Sequence, residues 1–237
     1  MNIYQPYTIF PLGDAALTIE FSDTIDREIN NRVLQLFHHL QSAKIDAIVD
    51  LIPAYSTVTV CYDPVKLKKP GSTAFENMAA IIETVARAKS QLTTETVRQI
   101  EVPVCYDPAV APDLKHLAAE KKLSIETIIT IHTSVSYRVF MLGFLPGFAY
   151  MGQIDERIAM PRKTKPMPVA AGSVGIAGLQ TGIYPFNCPG GWHIIGRTPL
   201  KLFDAANEDP TIFHPGDDVR FFSITYHEFK NYQGRTA

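Results

Sequence analysis

Hydrophobic positions recur with two periods along the first third of this chain. Ala15, Leu17, Ile19 and Phe21 alternate with Thr18 and Glu20, the two-residue period of a half-buried strand, and Gly13-Asp14 supplies the turn before it. The period then becomes helical. Ile25, Ile29, Val33, Leu36, Phe37 and Leu40 fall on one face at spacings of three and four, with Asp23 placed to cap them. Ile45–Ile52 and Thr57–Tyr62 are β-rich runs on either side of Pro53-Ala54-Tyr55-Ser56. A capping box, Thr73 with Glu76, opens a second helix carrying Met78, Ile81, Ile82, Val85 and Leu92. Strands sandwiching two helices predict a small ferredoxin-like α+β domain over residues 1–94.

The polar stretch Lys89 to Gln99 marks a boundary, and residues 95–237 form the second expected domain. Ile100 to Tyr106 reads as a strand, Pro112 opens a short helix, and Ser124 caps another bearing Ile125, Ile128, Ile129 and His132. From Tyr137 onward short β-rich runs are punctuated by Gly and Pro, ending in the alternation Val219 to Ile224. That punctuation predicts a mainly-β domain closed, or nearly closed, into a barrel.

Within this half, Pro166 to Gly196 holds 31 residues without one Asp, Glu, Lys or Arg, where a chain with 19% charged residues would carry about six. Seven of the 14 glycines lie inside it; Arg162, Lys163 and Lys165 precede it and Arg197 follows. Glycine at this density means backbone meeting backbone or backbone meeting a ligand. The two readings are a tightly wound barrel core and an uncharged site or subunit interface rimmed by cations. Glycines and prolines interrupt every apolar run before it reaches membrane-span length.

Composition narrows the function. A net charge of -2 gives no electrostatic case for nucleic acid or an anionic membrane. Met1 to Pro6 lacks the basic and apolar regions of a secretory signal, and Cys61, Cys105 and Cys188 form no Cys-x-x-Cys pair. A reducing, cytoplasmic setting is therefore expected. No phosphate loop or dinucleotide fingerprint occurs, and His38-His39 has no companion ligand, so no metal site is expected. Cys188 reads as a structural thiol.

The candidate residues each carry two readings. His132 lies on the apolar face of its helix, either as a satisfied core histidine or as a catalytic base. Arg162 and Lys163 are surface cations or ligand contacts. Arg197, after Ile194-Ile195-Gly196, stands where a free charge is unexpected and is the leading candidate for an anionic group. Gln180-Thr181-Gly182 offers an amide and a hydroxyl beside a glycine. Phe144, Phe148, Tyr150, Tyr184 and Trp192 supply apolar walls.

Five runs in order carry a family resemblance: Gly143 to Tyr150, Pro161-Arg162, Val169 to Gly178, Gln180 to Pro185, and Pro189 to Pro199. With the opening Pro11 to Leu17, they resemble the allophanate hydrolase subunit 1 family, also called the Kip-inhibitor family, over essentially the whole chain. The resemblance implies a cyclophilin-like barrel behind the α+β domain, the two matching carboxyltransferase subdomains D and C. It also implies a place as the B subunit of an ATP-dependent 5-oxoprolinase that converts 5-oxoproline to glutamate. Its partners would be a homologous C subunit and a separate A subunit, with ATP and magnesium acting at the level of the complex, no covalently bound cofactor, and little activity alone. Two other activities exist in such families: inhibition of a sporulation-type histidine kinase, and carboxyl transfer in biotin-dependent urea carboxylase. Position 193 is His where relatives often carry Gln, so no catalytic role is carried onto it.

Residue chemistry fits that activity. A lactam is a poor electrophile and needs its carbonyl oxygen activated, and the substrate's carboxylate suits a guanidinium fork. Expected substrate contacts are Arg162, Ser173, Gln180, Thr181, Tyr184, Gly190, Gly191, Trp192 and Arg197. His132, Gln180 and Arg197 are the catalytic candidates. Backbone N–H groups of Gly172 to Val174 or Gly190-Gly191 are candidates to hold a developing oxyanion or phosphoryl group.

Overall fold

A computed structural model describes residues 6–87 and 97–232. Met1–Gln5, Leu92 of the expected second helix, and the expected boundary Lys89–Gln99 up to Thr96 lie outside the described residues. The chain splits into two compact units, Met1–Thr96 and Val97–Ala237.

The first unit runs β1 (Thr8–Pro11), β2 (Ala16–Glu20), α1 (Arg27–Ser42), β3 (Ile48–Pro53), β4 (Thr57–Tyr62) and α2 (Ala74–Arg87). Its four strands form one antiparallel sheet in the order β1-β2-β4-β3. Alternation sends Leu17, Ile19, Val58 and Val60 into a core shared with Val33, Leu36 and Leu40 of α1 and Met78 and Ile82 of α2. The expected capping box is formed: Glu76 N–H donates to Thr73 Oγ1 (3.1 Å) and Thr73 N–H to Glu76 Oε2 (2.7 Å). Asp26, not Asp23, caps α1, accepting from the Glu28 and Ile29 amides at 2.8 and 3.1 Å. The helix thus starts one turn later than expected, leaving Ile25 exposed ahead of it.

The second unit begins with β5 (Gln99–Cys105), α3 (Leu114–Lys121), α4 (Ile125–Thr133), β6 (Ser136–Leu142) and β7 (Ala149–Gly152). It continues with β8 (Met167–Val169), β9 (Ser173–Ala177), β10 (Gln180–Ile183), β11 (Cys188–Gly190), β12 (His193–Arg197), β13 (Asp218–Ile224) and α5 (Tyr226–Lys230). Seven strands close into a barrel in the order β10-β7-β6-β13-β5-β12-β9, while β8 and β11 pair separately. Val102, Val139, Met151, Ile176, Ile183 and Phe221 are among the side chains of its buried core. A second cluster, built on Phe148, Tyr184, Trp192 and Ile194, packs separately.

Candidate functional site

The charge-free stretch is mostly internal: Ser173–Ala177, Thr181–Pro185 and Gly190–Gly196 are buried. Its lack of charge follows from burial, because an unpaired charge there would be lost to desolvation. Register explains the glycines. Ile194, Gly175, Gly182 and Tyr150 align in one row across β12, β9, β10 and β7. The two central glycines leave a trough that Trp192 fills. A Cβ at Gly175 would lie 3.1 Å from Trp192 Cβ; one at Gly182 would lie 2.8 Å from Ala149 O and 3.1 Å from the indole. Phe148 meets Trp192, Tyr150 and Tyr184 edge to face at centroid distances of 5.5, 4.8 and 5.1 Å.

At one margin of this aromatic cluster lies the Met160–Lys163 segment. Gly178 N–H donates to Met160 O (2.6 Å), His193 Nε2 to Pro161 O (3.0 Å), and Lys163 N–H to Gly191 O (2.8 Å). Lys163 Nζ donates to Asp113 Oδ2 at 2.7 Å, a pair with side chains 21% and 18% exposed. The same Oδ2 takes Ile194 N–H at 2.6 Å. The helix expected to open at Pro112 starts at Leu114 instead, with Asp113 at its N-cap, whose side chain makes no cap bond and is turned to Lys163 and β12. Nothing local in the sequence marks that role.

Arg162, Tyr184, Gly190, Gly191 and Trp192 come together here. A Cβ at Gly191 would lie 3.6 Å from Arg162 Nη2, and one at Gly190 would overlap the Tyr184 hydroxyl at 2.6 Å. Burial pushes the Tyr184 phenol up to about 12 and the Tyr150 phenol in the same direction, while the Arg162 charge pulls both back down. Both phenols are therefore protonated donors near neutral pH. Burial also raises the Cys188 thiol, which fits a structural role.

The other candidates sit elsewhere. His132 is fully buried, stacked on Phe221 at 4.7 Å, with Nδ1 2.8 Å from Tyr106 Oη and Nε2 3.1 Å from Thr181 Oγ1. Thr181 gives its one proton to Gly175 O, so it accepts from His132 Nε2–H, and Nδ1 accepts from Tyr106. Burial drives the imidazole down to about 3, which makes it a neutral core group. Ser173 pairs with Arg197 across β9 and β12. Arg197 Nε donates to Ala171 O (2.8 Å), and its guanidinium lies 5.8 Å above the Phe229 ring. Gln180 pairs with Ala177 at the far end of β9, four residues from Ser173, or about 13 Å along the strand. One five-membered ring cannot span Gln180 and Arg197.

A closed seven-stranded barrel following a four-stranded α/β unit, with an arginine beside an aromatic cluster, defines the class structurally. The family model for the carboxyltransferase domain, subdomain C and D, matches residues 7–213, and the chain belongs to this family. It is 40% identical over 232 residues to the 5-oxoprolinase B subunit of Bacillus subtilis, covering 94% of this chain and 97% of that one. The corresponding Escherichia coli O157:H7 protein is 38% identical over 213 residues, covering 89% and 93% of the two chains. Among solved structures, TTHA0988 is 33% identical with a TM-score of 0.76 over 88% of this chain, which spans 40% of that longer one. Kluyveromyces lactis urea carboxylase, 17% identical, shares the fold with a TM-score of 0.73 over 95% of this chain and 22% of its own.

Proposed function

We propose that this chain is the B subunit of an ATP-dependent 5-oxoprolinase, converting 5-oxoproline to glutamate together with a homologous C subunit and a separate A subunit in the cytoplasm. The observation that carries this is near-full-length similarity to two bacterial proteins of that name, at 40% and 38% identity. The ferredoxin-like and cyclophilin-like descriptions of the two units belong to the same reading. Among the described residues no group of three or more His, Cys, Asp or Glu could hold a metal ion. No residue of this chain is assigned to magnesium or the nucleotide; held at the level of the complex, they would supply activation of the lactam oxygen.

The contribution of this chain is to bind and orient. Arg162 stands exposed over the buried Tyr184, Gly190, Gly191 and Trp192 and offers a guanidinium to a small ring bearing a negative charge. Ser173 on β9 with Arg197 on β12, and Gln180 with the buried Thr181 on β10, lie apart from Arg162, and the Thr181 hydroxyl is already taken by His132 and Gly175 O. Co-expression with a C subunit and an A subunit of a 5-oxoprolinase provides the test. A stable complex whose ATP hydrolysis requires 5-oxoproline, and which the lone chain does not reproduce, is the expected result. Tight binding to a histidine-kinase dimerisation domain, or carboxyl transfer from carboxybiotin to urea, would redirect the assignment.

A further inference from the structure

We propose that Arg162 binds the carboxylate of the cyclic amide and that His193 is the positioning residue that fixes it; this rests on the 5-oxoprolinase reading above. Among the described residues Arg162 makes no side-chain hydrogen bond or ion pair. Its backbone, in contrast, is tied on both sides. Met160 O accepts from Gly178, Pro161 O from His193, and Lys163 is held by Gly191 O and Asp113. An arginine on a fixed backbone, with all its donors available, loses little freedom on meeting a carboxylate. Arg197 differs, because Ala171 O already takes its Nε. The half-buried Tyr150 phenol lies within the field of the exposed Arg162, and Tyr184, Phe148 and Trp192 are buried beneath as a packed support. An exposed guanidinium fork beside the half-buried Tyr150 phenol suits a small ring with one carboxylate.

The role of His193 follows by elimination of alternatives. Its side chain is buried, at 7% exposure, and its single hydrogen bond goes to the carbonyl immediately before Arg162. A carbonyl only accepts, so Nε2 carries the proton and Nδ1 is the bare lone pair. That Nδ1 is buried without a partner among the described residues. The imidazole also stacks on His116 at a centroid distance of 6.2 Å, and its one side-chain hydrogen bond orients the Pro161-Arg162 peptide.

Kinetics of the co-expressed complex test this. Arg162→Ala should raise KM for 5-oxoproline about 10- to 150-fold and leave KM for ATP in place, with Arg162→Lys recovering little. His193→Ala should raise the same KM with kcat retained, and His193→Gln should restore it, since a carboxamide N–H reaches the same carbonyl. In an Arg162→Ala background, His193→Ala should add nothing. A wild-type complex without 5-oxoproline turnover overturns the 5-oxoprolinase reading and this inference with it. Turnover that survives Arg162→Ala unchanged overturns the inference alone. A shift in the ATP KM instead transfers Arg162 to a phosphate. Additive losses, or a His193→Gln variant no better than His193→Ala, make His193 merely structural.

Discussion

His132 illustrates how one residue's chemistry is decided by its surroundings. On a helical wheel it sits on an apolar face, where a core group and a catalytic base look alike. In the barrel it is fully buried and held neutral, down to about 3, by desolvation. The sign of the pH effect follows. The unfolded chain takes up a proton near the ordinary value of 6.5 while the folded chain does not, so stability is full above 6.5 and falls as pH drops toward 3. One proton limits the slope to about 1.4 kcal/mol per pH unit. Asp155, drawn down to about 2 first by its hydrogen bond from Arg157, acts only below the ordinary carboxylate value of 3.8. Glu76, Glu126, Glu228 and Asp204, each drawn down by hydrogen bonds, act chiefly below their ordinary 4.5 and 3.8, so the slope of urea titrations between pH 6.5 and 5 belongs mainly to the histidine. His132→Phe should flatten that slope while lowering overall stability, because Tyr106 and Thr181 lose their partner. A slope unchanged by the substitution would show that the acid sensitivity comes from elsewhere. Arg162 and Arg197 pose the matching problem for a permanent positive charge. Both rim the charge-free stretch in sequence, and the tertiary positions of Ala171 O and the Phe229 ring, which engage Arg197 alone, separate them.

At the scale of elements, glycine placement carries its own prediction. Gly182→Ala would put a methyl group 2.8 Å from Ala149 O, a backbone atom that cannot swing aside, and 3.1 Å from the indole. Overpacking of this kind costs about 1–3 kcal/mol, or roughly 2–12 °C in melting temperature for a domain of this size. Gly191→Ala meets nothing closer than 3.6 Å and should melt with the wild type. Equal melting of the two variants would remove the trough as the reason for Gly182. The same elements show what could be read in advance. Alternation located β2 and β13, and reciprocal capping located α2, because these signals are written within a few residues. The start of α1 slipped from Asp23 to Asp26 because two aspartates three residues apart fit one helical phase equally well. The glycine row stayed hidden, since it exists only once β12, β9, β10 and β7 are in register and Trp192 folds over them. Glycine density left a barrel core and an uncharged site or subunit interface both open, and the space beside Gly175 and Gly182 is occupied by aromatic side chains of the chain itself.

For the whole molecule, the consequence of two compact units is independent cooperativity. Leu17, Ile19, Val33 and Met78 belong to one buried cluster, and Val102, Met151, Ile176 and Phe221 to another. Each unit therefore contains the apolar surface that drives its own folding. Polypeptides spanning residues 1–96 and 97–237 should each give a cooperative thermal transition, the smaller with less margin because a domain of that size buries a lower fraction of its surface. In the full-length chain, Gly182→Ala should lower the transition matching the 97–237 polypeptide and leave the other in place. Differential scanning calorimetry of the four samples checks this. A single transition in the full chain that moves as one with Gly182→Ala would mean the units unfold as one. The trough around Trp192 would then support the stability of the entire molecule, beyond that of the barrel.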